Sequence, residues 1–176
     1  MRKRHIGVAL LVVMTGAFAS AGLAQMKVGV INSQDVLEKS SEGKRIMARL
    51  QEADKQNQAK VSNLDDQIRK LQTELNTQRI TMTEEAIMAK TADLDRKNTE
   101  RKRMAEDAYS SMNDLTQRLF KKLQDELIPV VEQIGKERGL DIVFDLGRSG
   151  AVYWSPAIEL TVEVIKRYDA LKATGK

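Results

Sequence analysis

The 176-residue chain contains no cysteine, one histidine and two prolines, and aromatic residues make up only 4% of it. Each shortage closes off a class of chemistry or architecture. Without thiols there is no disulfide and no cysteine nucleophile. The one histidine, His5, lies in an N-terminal stretch with the marks of a removable leader, so the mature chain has no imidazole either. That excludes Ser-His and Cys-His nucleophile pairs and zinc sites built on His or Cys. Carboxylates, lysines and hydroxyls are all that remain. With 31% charged residues and few large apolar groups, the chain cannot fill a thick globular core. Long helices with a thin apolar seam, plus one small packed region, fit this composition.

The leader is read from its layout. Arg2, Lys3 and Arg4 precede a short apolar run, Ile6 to Phe18, and small residues follow at Ala19, Ser20, Ala21, Gly22 and Ala24. This is the tripartite order of a secretory signal peptide. The run falls short of the roughly 20 apolar residues that span a bilayer. Cleavage can follow Ala21 or Ala24; Ala24 is preferred, because it leaves Gln25 just ahead of a strand-like segment. Residues 1–24 hold three of the 29 basic residues and no acid, so the remainder carries 26 basic groups against 25 acidic ones. A near-neutral exported chain is not expected to bind nucleic acid, which favours a concentrated positive field.

The mature chain divides into a base and an arm. Residues 25–41 and 139–176 make a discontinuous base, and residues 42–138 make the arm between its two halves. In the base, Lys27 to Ile31 is short and β-branched and reads as a strand, and Asn32 to Lys39 as one short helix. Asp141 to Asp145 and Ala151 to Ser155 read as two further strands joined by a Leu-Gly-Arg-Ser-Gly turn. Ser155-Pro156 then opens a last helix, Ala157 to Lys172, with Ile158, Val162, Ile165 and Leu171 on its apolar face.

The arm is almost unbroken helix-former. Val61, Leu64, Ile68, Leu71 and Leu75 recur at spacings of three and four, the seam of a coiled coil. The pattern lapses near Gln78 to Thr83, and Thr83 can cap a second helix whose first turn carries Glu84 and Glu85. A return seam runs through Ala105, Ala108, Met112, Leu115 and Leu119 to Leu123, Leu127, Val130 and Ile134. Two seams around a polar break make an antiparallel helical hairpin. At 1.5 Å per residue the outgoing helix spans roughly 55 Å and the returning one roughly 80 Å. The longer helix must therefore run on into the base. Pro129 is expected to kink or break it there, and Gly139 to end it.

The expected fold class is α+β, mainly α: a long coiled-coil hairpin projecting from a small β body. One chain supplies few strands and one Trp, too little to close its own sheet edges. Several copies are therefore expected to pool their strands, with Val28, Val30, Ile142, Phe144, Val152 and Trp154 forming the oligomer body. Candidate client-binding residues cluster toward the arm's far end: Ile80, Met82, Ile87, Met88, Leu94 and Met104. Flexible thioethers suit a surface that accepts varied partners, although gap-filling in the seam is the plainer account of a methionine. Arg101, Lys102 and Arg103 form a basic run with no interleaved acid and are candidates for an anionic partner. No Walker loop, dinucleotide fingerprint or nucleophile elbow is present, and neither enzymatic activity nor a cofactor is expected.

Three stretches give this order of segments a family likeness: VGVINSQDVLEKSSEGKRIMARL at the entry to the arm, KERGLDIVFD at its return and SPAIELTVEVIKRY at the end. Over nearly the whole mature chain the sequence resembles the Skp/OmpH-like periplasmic chaperones of Gram-negative bacteria. The resemblance implies a homotrimer with a central β body and three helical tentacles around a cavity. It implies ATP-independent holding of unfolded outer-membrane β-barrel proteins, and a lipopolysaccharide contact that maps to no particular residue here. A structural coiled-coil adaptor of the cell envelope is the alternative from another class.

Overall fold

The computed structural model describes residues 25–175; the expected leader and its cleavage site lie outside them. The order of elements is β1 (Val28–Ile31), α1 (Ser33–Lys39), α2 (Ser41–Gln78), α3 (Glu84–Arg138), β2 (Ile142–Asp145), α4 (Leu146–Ser149), a 3-10 turn (Pro156–Ile158) and α5 (Thr161–Ala173). No helix among the described residues is long and apolar enough to cross a membrane.

The helix ends follow from local chemistry. Asn32 caps α1 by accepting the amides of Gln34 and Asp35. Ser40 is the only residue between α1 and α2. It is fully buried, and its hydroxyl accepts the Gly43 amide at 3.0 Å, which starts α2. Thr83 caps α3 through the Ala86 amide, and Gly139 ends it in the left-handed region at φ 61°. Both arm helices thus begin where capping residues stand, and α3 also ends at one. Pro129 does not break α3, which is one helix from Glu84 to Arg138. A proline removes one amide bond, and the dense packing of Leu127, Val130 and Ile134 on either side of it holds the helix in register.

The base departs from the three-strand expectation. β1 and β2 pair in parallel, Val28 opposite Ile142 and Val30 opposite Phe144. Parallel neighbours need a crossover, and here the entire helical hairpin is that crossover. The expected strand at Ala151 to Ser155 is absent, and so is the hairpin turn before it. Asp145 is the physical reason. Its carboxylate accepts from the Ser33 amide, the Ser33 hydroxyl (2.8 Å) and the Gly147 amide. Held there, it caps the short α4 and turns the chain away from an antiparallel return. On its other edge β1 meets only a single bridge at Glu159, where the Leu160 amide donates to the Val30 carbonyl at 2.8 Å.

α5 also starts later than expected. Its buried face is Leu160, Val164 and Tyr168, whereas Val162, expected on that face, is 79% exposed. These residues join Val36 and Leu37 of α1, Ile46 of α2, and Leu119, Leu123, Leu127, Val130 and Ile134 of α3 in one core at the root of the arm. Ile31 and Val143, on the inner face of the sheet, pack against it. Farther out the packing thins. Leu64 and Ile68 are buried in the seam, but no residue from 69 to 118 is. Elements with so little buried surface open more readily than a core does.

α1 crosses the start of α2 so closely that a side chain has no room between them. A Cβ on Gly43 would lie 1.9 Å from the Leu37 carbonyl oxygen. Backbone cannot yield as a side chain can, so Gly43→Ala should force α1 off the root. We expect a loss of roughly 2–4 kcal/mol, read by urea denaturation. An unchanged midpoint would show that α1 is not seated there.

Candidate functional site

Sequence patterning named six apolar residues of the distal arm, and the structure separates them. Ile80 stands 98% exposed in the turn between α2 and α3, and Met88 is also exposed. Met82, Ile87, Leu94 and Met104 are half-buried. The periodicity explains the split: Ile87 and Leu94 are seven residues apart and so share a face.

The basic run is divided as well. Arg101 pairs across the hairpin with Asp65 of α2, Nε to Oδ1 at 2.9 Å. A partner on the other helix is invisible to a scan for neighbouring acids. Lys90 and Glu74 form a second cross-hairpin pair nearer the turn. Both pairs fit one antiparallel register, so they help set the alignment of the two helices, at no more than about 1 kcal/mol each because solvent still reaches them. Lys102 and Arg103 are exposed and, among the described residues, make no ion pair. Consecutive helical residues point roughly 100° apart, so the three cations do not form one patch.

Two grooves lie along the middle of the arm, and both include Asn57 and Ala108 of the seam. One, of about 810 Å³, is lined by Lys60, Arg96, Arg103 and the acids Asp95, Glu100 and Asp107. The other, of about 380 Å³, is lined by Asp54, Gln58, Asp65 and Tyr109. They exist because small seam residues, Ala105 and Ala108, leave the helices incompletely interlocked. The polar seam position Asn57 adds to this.

At the base, the expected body residues sit as follows. Val30 is buried and Val28 half-buried, while Ile142 and Phe144 beside them are 39% and 43% exposed. These four share the outer face of the two-stranded sheet, by the parallel register and the period of two. Val152 is 99% exposed and Tyr153 nearly as much, on a segment with nothing of its own chain to lie against. Trp154 is half-buried, its indole N–H donating to Glu159 at 3.2 Å. The outward Ile142 and Phe144 stand on β2, whose far edge pairs with no strand among the described residues.

A polar cluster at the root was not anticipated. The Tyr168 ring is fully buried and its hydroxyl donates to Glu126 of α3 at 2.5 Å. Lys172 pairs with the same carboxylate oxygen at 2.7 Å and lies 5.7 Å from the Tyr168 ring centre. One turn away, Asp169 accepts the Ser41 amide at 2.9 Å, at the first residue of α2. Adjacent residues of α5 thus hold the two arm helices. Arg167 adds pairs to Glu137 and Glu163, both at 2.6 Å. The spacing of Leu160, Val164 and Tyr168 at every fourth residue carried the signal for this face. It was obscured by the competing set Ile158, Val162 and Ile165.

These geometries describe a base and an arm, and the chain can be placed by comparison. The family model for outer membrane protein, OmpH-like, matches residues 27–168. The chain belongs to the OmpH-like family. No curated protein matches it. A crystal structure of an OmpH-like protein from Caulobacter crescentus CB15, proposed to be an outer membrane chaperone, superposes with a TM-score of 0.75. It is 21% identical, and the match covers 85% of this chain and 88% of that one. At that identity the likeness speaks for the fold: a member of the family built as one long helical hairpin on a small mixed base.

The root cluster makes stability depend on pH. Burial pulls the Glu126 carboxyl upward, but hydrogen bonds from Lys172 and Tyr168 outweigh it, leaving the group below its ordinary 4.5. Burial first, and then Glu126, pushes the Tyr168 phenol above its ordinary 10.0. A depressed carboxyl stabilises the fold above about pH 4.5, and its contribution fades as pH falls through the lowered value. A raised phenol stabilises it below about pH 10, and its contribution fades as pH rises. Tyr168→Phe should cost about 1–3 kcal/mol at pH 7. The stability gap between wild type and Glu126→Gln should narrow in acid. A gap that stayed constant from pH 7 to 3 would show that Glu126 is not held in this way.

Proposed function

We propose that this chain is an ATP-independent holdase of the periplasm. Its copies would pool their sheets into one body, most simply a trimer, and enclose unfolded outer-membrane β-barrel proteins between the arms. The observation that carries the reading is the outward apolar face of the sheet. Val28, Ile142 and Phe144 sit beside an open β2 edge, with Val30 already covered by its own chain, while the arm extends from the well-packed root. A lone chain would present that face to water. Copies joined there would cover it and leave several arms free. Family membership and the likeness to a structure proposed as an outer membrane chaperone support the same reading.

The physical match to such clients is plain. An unfolded barrel protein carries strands of alternating apolar and polar residues and no single binding motif. Many weak contacts, repeated over several arms, hold it with useful avidity and still allow release. Within this reading Lys102 and Arg103 are the members of the basic run free to meet an anionic surface such as lipopolysaccharide.

Two measurements test the proposal. Purified mature protein should suppress the light scattering of a porin diluted from urea at about one trimer per client. Undiminished aggregation in excess trimer would end the holdase reading. Ile142→Glu with Phe144→Glu should drop the solution mass from an oligomer to a single chain, read by sedimentation, because the charges could not be buried between copies. An oligomer of unchanged mass would move the interface elsewhere.

A further inference from the structure

The pairing that closes the base starts close to where the mature chain is expected to begin. Lys27 and Asp141 hold each other twice. The Lys27 amide donates to the Asp141 carboxylate at 2.7 Å, and the Asp141 amide donates to the Lys27 carbonyl at 2.8 Å. The next residue, Val28, opens β1 opposite Ile142. Gln25 and Met26 stand ahead of this clamp, and both are exposed. Among the described residues Gln25 makes no hydrogen bond. Removal of the leader after Ala24 would make Gln25 the first residue and give it a free α-amine.

We propose that Gln25 is a modification site, and that after leader removal it closes on itself to a neutral N-terminal pyroglutamate. The proposal rests on the periplasmic part of the function proposed above, through cleavage after Ala24, and is independent of client holding. The step needs no co-reactant. The α-amine nitrogen attacks Cδ of its own side-chain amide and the N–Cδ bond forms. The Cδ–Nε2 bond breaks, and Nε2 leaves as ammonia with a proton from the amine. Nothing is oxidised or reduced. Both groups belong to one residue, so they meet at high effective concentration as long as the side chain is not held elsewhere. The surroundings suit the product. Gln25 lines a hollow of about 320 Å³ whose cations are Lys27 and Arg138 and whose apolar wall includes Val28, Leu140 and Leu160. Arg138 is paired with Glu163, whereas Lys27 makes no ion pair among the described residues. A neutral ring meets no repulsion from Lys27 and can lie on the apolar wall. The consequence falls on β1. An aminopeptidase that removed Gln25, Met26 and Lys27 would take both bonds of the clamp and leave Val28 as a frayed end. A lactam offers no α-amine to such an enzyme, so it protects the strand pairing.

The test uses the exported protein, purified at neutral pH from the periplasmic fraction, with its intact mass read at once. We expect a chain that starts at Gln25 and is lighter by one ammonia. A second arm treats wild type and Gln25→Ser with a broad aminopeptidase that lacks pyroglutamyl activity. The wild type should keep its mass and melting temperature. Gln25→Ser, at a position that bonds to nothing in the fold, should lose residues through Lys27 and then melt lower. An open glutamine at the start of the wild type would overturn the lactam. Wild type and variant behaving alike would overturn its protective role. A chain starting at Gly22 would overturn the proposal through its cleavage site. Each of these leaves the holdase reading standing, whereas a chain that kept its leader would overturn the proposal and the periplasmic reading together.

Discussion

The parallel pairing of β1 with β2 is the constraint on which the rest depends. It brings Val28 against Ile142 across the whole length of the arm. Because the strands run in the same direction, the chain between them must leave the sheet and come back to its starting end. A helical hairpin does this economically. Its two helices differ in length, and the excess of α3 over α2 becomes the root on which α1 and α5 pack. The sheet, the root core and the projection of the arm are therefore consequences of one closure. Asp145 secures it from the side, holding Ser33 at the start of α1 and turning the chain into α4.

Packing then grades along the arm. At the root, α5 covers both arm helices, and Ile134, Val164, Val36 and Tyr168 are shut off from water. Beyond Ile46 and Leu119 the two helices have only each other, and beyond Ile68 no seam residue is buried. Two helices alone cannot enclose a side chain that a third element would cover. What replaces enclosure is weak and polar: the Arg101–Asp65 and Lys90–Glu74 pairs, and grooves on both flanks. The arm is thus a lightly packed extension of a firm root.

The apolar surfaces of the base and of the arm differ in kind. On the sheet, exposed Ile142 and Phe144 adjoin half-buried Val28 beside an open strand edge. On the arm, Tyr109, Phe120 and Met88 stand apart among amides and carboxylates. The root cluster of Tyr168, Glu126 and Lys172 links them, since α5 fixes where the arm leaves the base.

The sequence by itself determined the arm almost completely. Spacings of three and four give the seam, and Ser40, Thr83 and Gly139 mark the helix ends, because helices are set by neighbours a few residues away. The β1 and β2 segments were legible for the same reason, as short β-branched runs. Their parallel pairing was not, since it joins residues over a hundred positions apart. Ala151 to Ser155 has strand-like composition, but the fold offers it no edge, and Asp145 is occupied in turning the chain before it. The apolar face of α5 was ambiguous until Glu126 appeared opposite Tyr168. Arg101 looked free until α2 supplied Asp65. In each case the deciding partner is distant in sequence, and only the tertiary structure brings the two groups within reach.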